Sequence, residues 1–225
     1  MSVWAVGPSI RPGGGTLRKW AKARYRVAVM RQGEPLDFAS HQVIVDRYHG
    51  WAASINRLIA EIMAFDAGAE WFVCANDDTL PDESLPPEWI ASECLNHFTW
   101  EAGTLNRSFG VMQPTGDLKL WPASRIDRFA GSAWIGREFA RRMYGGKGPL
   151  WPYPHCWADE ELQCVAQKMG VFWQRRDLTH KHLHWGRGSE PKPEWWDSIA
   201  GADYHNSRAL FEERKRLGFP GHEPI

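Results

Sequence analysis

The chain has 225 residues, with 27 basic and 27 acidic side chains that cancel to a formal charge of zero. That length suits one well-buried core in a single domain, and the balanced charge excludes a strongly basic composition as a pointer to nucleic acid. Fourteen tryptophans are the anomaly, and exposed tryptophan stacks on sugars and bases, so the composition leans towards such ligands.

In chain order, Val3-Trp4-Ala5-Val6 reads as a first strand, broken by Gly7-Pro8. The loop through Ser9, Arg11 and the glycines 13–15 leads to a predicted helix over 16–24. Residues 25–30 read as a second strand and 43–45 as a third. After Tyr48-His49-Gly50, the spacing of Ile55, Leu58, Ile59, Ile62 and Met63 predicts a helix that Gly68 ends. The apolar run Trp71-Phe72-Val73-Cys74 follows as a buried strand and stops at Asn76-Asp77-Asp78.

Prolines at 81, 86 and 87 delay the next helix to about 88–96. Residues 110–112 read as a strand and 114–117 as a turn. Past Phe129 and Trp134 comes a helix with Phe139 and Met143 inward, closed by Gly145-Gly146. A Pro- and Gly-rich connection over 147–154 precedes a helix opened by Asp159-Glu160-Glu161 and stopped by Gly170. Residues 171–173 read as a strand, 177–185 as an extended stretch carrying His180, His182 and His184, and 207–217 as a basic helix. Strand and helix alternate, which predicts an α/β fold: one domain with a mixed, mostly parallel sheet flanked by helices. The four cysteines lie far apart and form no CxxC pair, so reduced thiols are expected. No apolar run approaches ~18 residues and no signal peptide opens the chain, so the expected setting is the cytoplasm, without membrane attachment.

Four stretches carry candidate chemistry. Asn76-Asp77-Asp78 follows a core strand, where an open α/β sheet keeps its ligands, although Asn and Asp are also ordinary turn residues. Asp159-Glu160-Glu161 sits at a helix start, where acidic residues also simply complement the helix dipole. Three histidines in five residues are uncommon, and imidazole is a frequent metal ligand. The loop 8–15 offers backbone N–H groups and the Arg11 guanidinium to a phosphate, but its glycines match no Walker or dinucleotide fingerprint.

The order of these stretches resembles the GT-A glycosyltransferases, especially the inverting family-two type. Gly50-Trp51-Ala52-Ala53-Ser54-Ile55-Asn56 is similar to that family's pattern before the metal strand. Asn76-Asp77-Asp78 stands where its DxD-type motif stands, Trp157-Ala158-Asp159-Glu160-Glu161-Leu162 resembles its acidic motif, and His182-Leu183-His184 falls where a metal-binding histidine is often kept. The likeness spans 1–185, the expected transferase domain, with 186–225 as a Trp-containing, basic helical extension packed on it. Two positions depart from the pattern. Arg31-Gln32-Gly33-Glu34 replaces an aspartate-rich motif after the second strand, leaving Asp46 as a substitute, and Ala158 stands where a carboxylate is common.

The resemblance implies a nucleotide-sugar donor, a UDP-sugar first, and Mn²⁺ or Mg²⁺ held by Asp78 with His182 or His184. It implies donor contacts from Pro8, Ser9, Arg11, Asp46, Asn56, Asn76 and Asp77, and a general base at Asp159 with Glu160 as the fallback. The chain also resembles small bacteriophage glycosyltransferases, some of which decorate hydroxymethylated pyrimidines in DNA. With basic clusters at 18–26, 137–147 and 175–176, this makes DNA the first-choice acceptor, and the setting a host cytoplasm if the protein is viral. Trp134, Trp151, Tyr153 and Trp157 are the expected aromatic contacts to that acceptor. A glycan or small-molecule acceptor and a metal-dependent hydrolase or nuclease are the alternatives.

Overall fold

A computed structural model describes residues 1–100, 108–114, 132–183, 185 and 191–225. Its main sheet has seven strands in the order β3-β2-β1-β4-β7-β6-β8. These are β1 (Ser2–Ser9), β2 (Arg26–Arg31), β3 (His41–Ile44), β4 (Ala69–Cys74), β6 (Val111–Pro114), β7 (Trp134–Gly136) and β8 (Phe172–Arg175). All neighbours pair in parallel except β7, which runs antiparallel between β4 and β6. A second, two-stranded sheet pairs β5 (Thr79–Leu80) with β9 (Lys181–His182).

Alternation along the central strands sorts the core into two layers. Trp4, Val6, Ala28, Met30, Phe72 and Cys74 face one side. There they meet Ile55, Leu58, Ile59 and Ile62 of α2 (Trp51–Phe65), whose helical repeat was evident in the sequence. Val3, Ala5, Val27, Val29, Trp71 and Val73 face the other side. That layer is closed by Leu17 and Trp20 of α1 (Leu17–Lys22) and by Ile90, Ala91, Cys94 and Phe98 of α3 (Pro87–Trp100). The expected α/β class, with a mixed and mostly parallel sheet, is the observed one.

Among the described residues the remaining α-helices are α4 (Arg137–Arg142), α5 (Ala158–Lys168) and α6 (Ala202–Arg216). α6 is longer than the basic helix read from the sequence, and its Phe211, with Phe219 beyond it, joins the core layer of α2. No strand was anticipated at Trp134, at Thr79 or specifically at Lys181. Segments of two or three residues carry no readable period. The expected turn at 114–117 lies mostly outside the described residues.

The chain builds β2 and β3 on one flank of β1, then returns to place β4 on the other. The strand order therefore reverses between β1 and β4, and a crevice opens beyond their carboxyl ends. The two ends approach so closely that a Cβ at Gly7 would lie 1.8 Å from the Ala75 carbonyl oxygen. Glycine is required there.

Candidate active site

The crevice is floored by the turn after β4. Asp77 folds back onto the loop after β1. Its Oδ2 accepts from Ser9 Oγ (2.9 Å) and from the backbone N–H groups of Ile10 (3.1 Å) and Arg11 (3.2 Å). The Arg11 Nε lies 3.6 Å from Oδ1. The Asp77 carbonyl accepts from the Thr16 N–H at 3.0 Å, and a Cβ on Gly15, at φ +56°, would come within 2.2 Å of that oxygen. Burial and the neighbouring Asp78 raise the Asp77 pKa, against the pull of Ser9 and Arg11. Asp77 is the clasp that fixes the loop.

Asn76 is also oriented from inside, because Trp51 Nε1 donates to its Oδ1. Asp78 points the other way. The β5–β9 pair sets Thr79 opposite His182, and the Leu183 N–H donates to the Asp78 carbonyl at 2.7 Å. This brings His182 Nε2 to 3.2 Å from Asp78 Oδ1, across a hundred residues of sequence. A carboxylate oxygen and an imidazole nitrogen converging on one point form a donor set that Mn²⁺ or Mg²⁺ accepts. Among the described residues no group of three His, Cys, Asp or Glu side chains gathers to hold a metal. His184 lies outside them.

Asp159 enters from the third side, in the first turn of α5. Burial raises its pKa, opposed by the backbone N–H groups of Glu160 and Asp159 and by His182. Trp157, which precedes the helix, holds a left-handed φ of 82°, uncommon for a large side chain, and stacks on Phe211 at 5.1 Å. Glu160 is partly exposed beside Asp159. Glu161 is fully buried, and its carboxylate accepts from Tyr144 Oη (2.7 Å), Tyr153 Oη (2.6 Å) and Arg214 Nε and Nη2 (2.9 and 2.7 Å). This ties α5 to α6.

Several expected contacts are placed elsewhere. Tyr153 and Trp134 are fully buried in the core, Tyr153 committed to Glu161, so neither offers a ring face to an acceptor. Trp151 packs against the core with the Arg214 guanidinium 3.4 Å above its ring, and Trp157 is covered by Phe211 and Tyr204. Asn56 is likewise turned inward, where its amide pairs with both backbone groups of Leu150 (2.7 and 3.1 Å). Asp46 is exposed at the loop after β3, its carbonyl holding Gln32.

What the sequence reading missed is an aromatic cluster on the crevice rim. Tyr48 Oη bonds His155 Nδ1 at 2.8 Å, Trp196 packs edge-on to His155, and Trp185 packs edge-on to Trp196. Burial lowers the His155 pKa, against the influence of Asp203 and Asp78. The tryptophan excess was its only signal. Beside it a shallow cleft runs along the ends of β1 and β2, lined by Pro8, Ser9, Ile10, Arg31, Gln32 and Tyr48 among others.

The basic clusters are ion-paired in part. Arg18 pairs with Asp37, Arg24 with Glu88, Arg26 with Asp66, Arg141 with Glu138, and Arg175 with Glu93 and Asp177. Arg137 donates to three backbone carbonyls. All four cysteines are free. No described helix is long and apolar enough to cross a membrane.

No protein-family model matches the sequence, and no curated protein matches it. Among solved structures, the catalytic domain of Drosophila β1,4-galactosyltransferase 7 in complex with xylobiose is similar over 86% of this chain and 75% of that one. The TM-score is 0.52 and the sequence identity 16%. A mutant of the same enzyme in complex with manganese, UDP-Gal and xylobiose is similar over 86% of this chain and 76% of that one, with a TM-score of 0.45 and 16% identity. The fold is that of a GT-A glycosyltransferase.

Proposed function

We propose that this protein is a metal-dependent, inverting glycosyltransferase that moves a sugar from a nucleotide-sugar donor, a UDP-sugar first, to a hydroxyl acceptor. The observation that carries this reading is the meeting of Asp78 with His182 at the switch point of a GT-A sheet, with Asp159 at the adjoining helix start. Three segments far apart in sequence supply the oxygen, nitrogen and basic groups such a transfer needs.

In this mechanism Asp78 and His182 would hold Mn²⁺ or Mg²⁺, with His184 the candidate third ligand from the sequence. Bound there, the metal would supply Lewis-acid neutralisation of the departing diphosphate. Arg11, fixed by Asp77, adds positive charge beside the phosphates. Asn76, oriented by Trp51, offers its remaining amide hydrogens to donor hydroxyls, and Ser9 and Pro8 wall the donor cleft. Asp159 takes the proton from the acceptor hydroxyl as that oxygen attacks the anomeric carbon, and burial makes it a better base than an ordinary aspartate.

For the acceptor, we take a glycan or small-molecule hydroxyl ahead of hydroxymethylated DNA; Arg18, Arg24, Arg26 and Arg141 are each already engaged by a carboxylate, which competes with phosphate for them. The rim cluster of Tyr48, His155, Trp185 and Trp196 gives such an acceptor an aromatic surface. Incubation with UDP- and GDP-sugars, with and without Mn²⁺, and with xylo-oligosaccharides or hydroxymethylated DNA, tests the reading by mass spectrometry. A sugar-sized mass gain on a carbohydrate, dependent on donor and metal, is expected. A gain on DNA would restore the phage-type acceptor. Phosphodiester cleavage with no donor present would identify a hydrolase instead.

A further inference from the structure

The meeting of Asp78 with His182 depends on a strand pairing too short to fix itself. β5 and β9 have two residues each, and they pair Thr79 with His182 and Leu80 with Lys181. Successive side chains of a strand point to opposite faces, so a slip of one residue would put Lys181 or Leu183 in the place of His182 and turn the imidazole away from Asp78. A ladder of two residues supplies little to resist such a slip.

The pairing is held from beyond both of its ends. At one end the Leu183 N–H donates to the Asp78 carbonyl at 2.7 Å. At the other, the same register carried two places past Leu80 sets Asp82 opposite Thr179. Pro81 brings no N–H to that end. A side chain continues the ladder instead: Asp82 Oδ2 accepts from the Thr179 N–H at 2.6 Å, the part that a backbone carbonyl plays in a regular strand pair.

Asp82 is itself immobilised. It is only 9% exposed, and its Oδ1 accepts from the Ser84 N–H at 2.8 Å and from the Ser84 hydroxyl. Each carboxylate oxygen is therefore committed to a different partner. On the β5 side, Trp20 Nε1 donates to the Thr79 carbonyl at 2.8 Å, which fixes the strand that β9 must match.

We propose that Asp82 is a positioning residue for the metal site: its bond to Thr179 pins the register of β9 and so keeps His182 at Asp78. This rests on the metal-dependent reading above.

Titration of the full chain with Mn²⁺, followed by electron paramagnetic resonance with the metal alone and with excess UDP, provides the test. Asp82→Ala removes the acceptor and should weaken Mn²⁺ binding to the folded protein about 10- to 100-fold. Thr179→Pro deletes the donor while leaving the carboxylate in place, and should give the same loss. Asp82→Asn keeps a carbonyl oxygen for Thr179 and should stay within about threefold of the wild-type affinity. A residue serving stability alone would lower the melting temperature of these variants without changing the metal affinity of the folded molecules. Wild-type affinity in folded Asp82→Ala or folded Thr179→Pro would therefore overturn the proposal. A loss in Asp82→Asn equal to that in Asp82→Ala would assign the effect to the charge of Asp82 and overturn it too. Failure of the wild-type protein to bind Mn²⁺ in either setting would remove the metal reading, and this proposal with it.

Discussion

Two acidic triplets, 76–78 after β4 and 159–161 at the start of α5, look alike as sequence and divide their work in the same way. In each, one carboxylate is committed to the fold. Asp77 clasps the loop after β1 through three donors, and Glu161 holds two tyrosines and Arg214 in the core. In each, a neighbour turns elsewhere: Asp78 lies 3.2 Å from His182, and Asp159 feels the same histidine. Adjacent carboxylates repel, and the protein resolves this by surrounding one with donors and turning the other away from it; the proposed function gives that second carboxylate to a ligand. Identity and spacing alone do not say which member of a triplet is which. Packing does.

Substitutions that exchange the two classes should break this division if it is wrong. The largest effect is expected at Asp159. Asp159→Asn should lower turnover about 10²–10⁴-fold with donor binding intact, read from steady-state kinetics beside nucleotide titration. Retention of full turnover would put the base elsewhere. Because burial raises its pKa, Asp159 stays protonated, and inactive as a base, to a higher pH than an exposed aspartate. Wild-type kcat/KM should therefore climb with pH through a limb above the ordinary carboxylate value of about 4, as the carboxylate form is populated.

The structural member of the same triplet should respond in stability. Glu161→Gln leaves Arg214 buried without its counter-charge, and urea unfolding should show a loss of about 3–5 kcal/mol. Turnover per folded molecule should change far less than for Asp159→Asn. Smaller again is Tyr153→Phe, which removes one hydrogen bond to that carboxylate and should cost about 1.5–3 kcal/mol. Acceptor KM should not move. A KM effect without a stability effect would return Tyr153 to the acceptor site.

The fold was legible where the period was long. The α2 repeat, the apolar run of β4 and the strand–helix rhythm were enough to place the switch point. The pairing of Asp78 with His182 was legible only through the order of the motifs, since the two-residue strands β5 and β9 that create it leave no pattern of their own. Aromatic roles were not legible at all. Trp134 and Tyr153 belong to the core while Trp185 and Trp196 flank the crevice, and nothing local to a tryptophan distinguishes a core position from a rim. The inward turn of Asn56 was hidden for the same reason. Its amide pairs with Leu150, almost a hundred residues away, a partner that only the tertiary structure reveals.

The most direct measurement is nucleoside-diphosphate release from a UDP-sugar as Mn²⁺ is titrated, for the wild-type protein and for Asp78→Asn. The wild-type protein should be activated by the metal and silenced by a chelator. Asp78→Asn, folded to the same melting temperature, should lose at least about 100-fold at any Mn²⁺ concentration, as expected when several kcal/mol of transition-state stabilisation is removed. Metal-independent release, or an Asp78→Asn protein as active as the wild type, would contradict the assignment of this crevice as a metal-dependent transferase site.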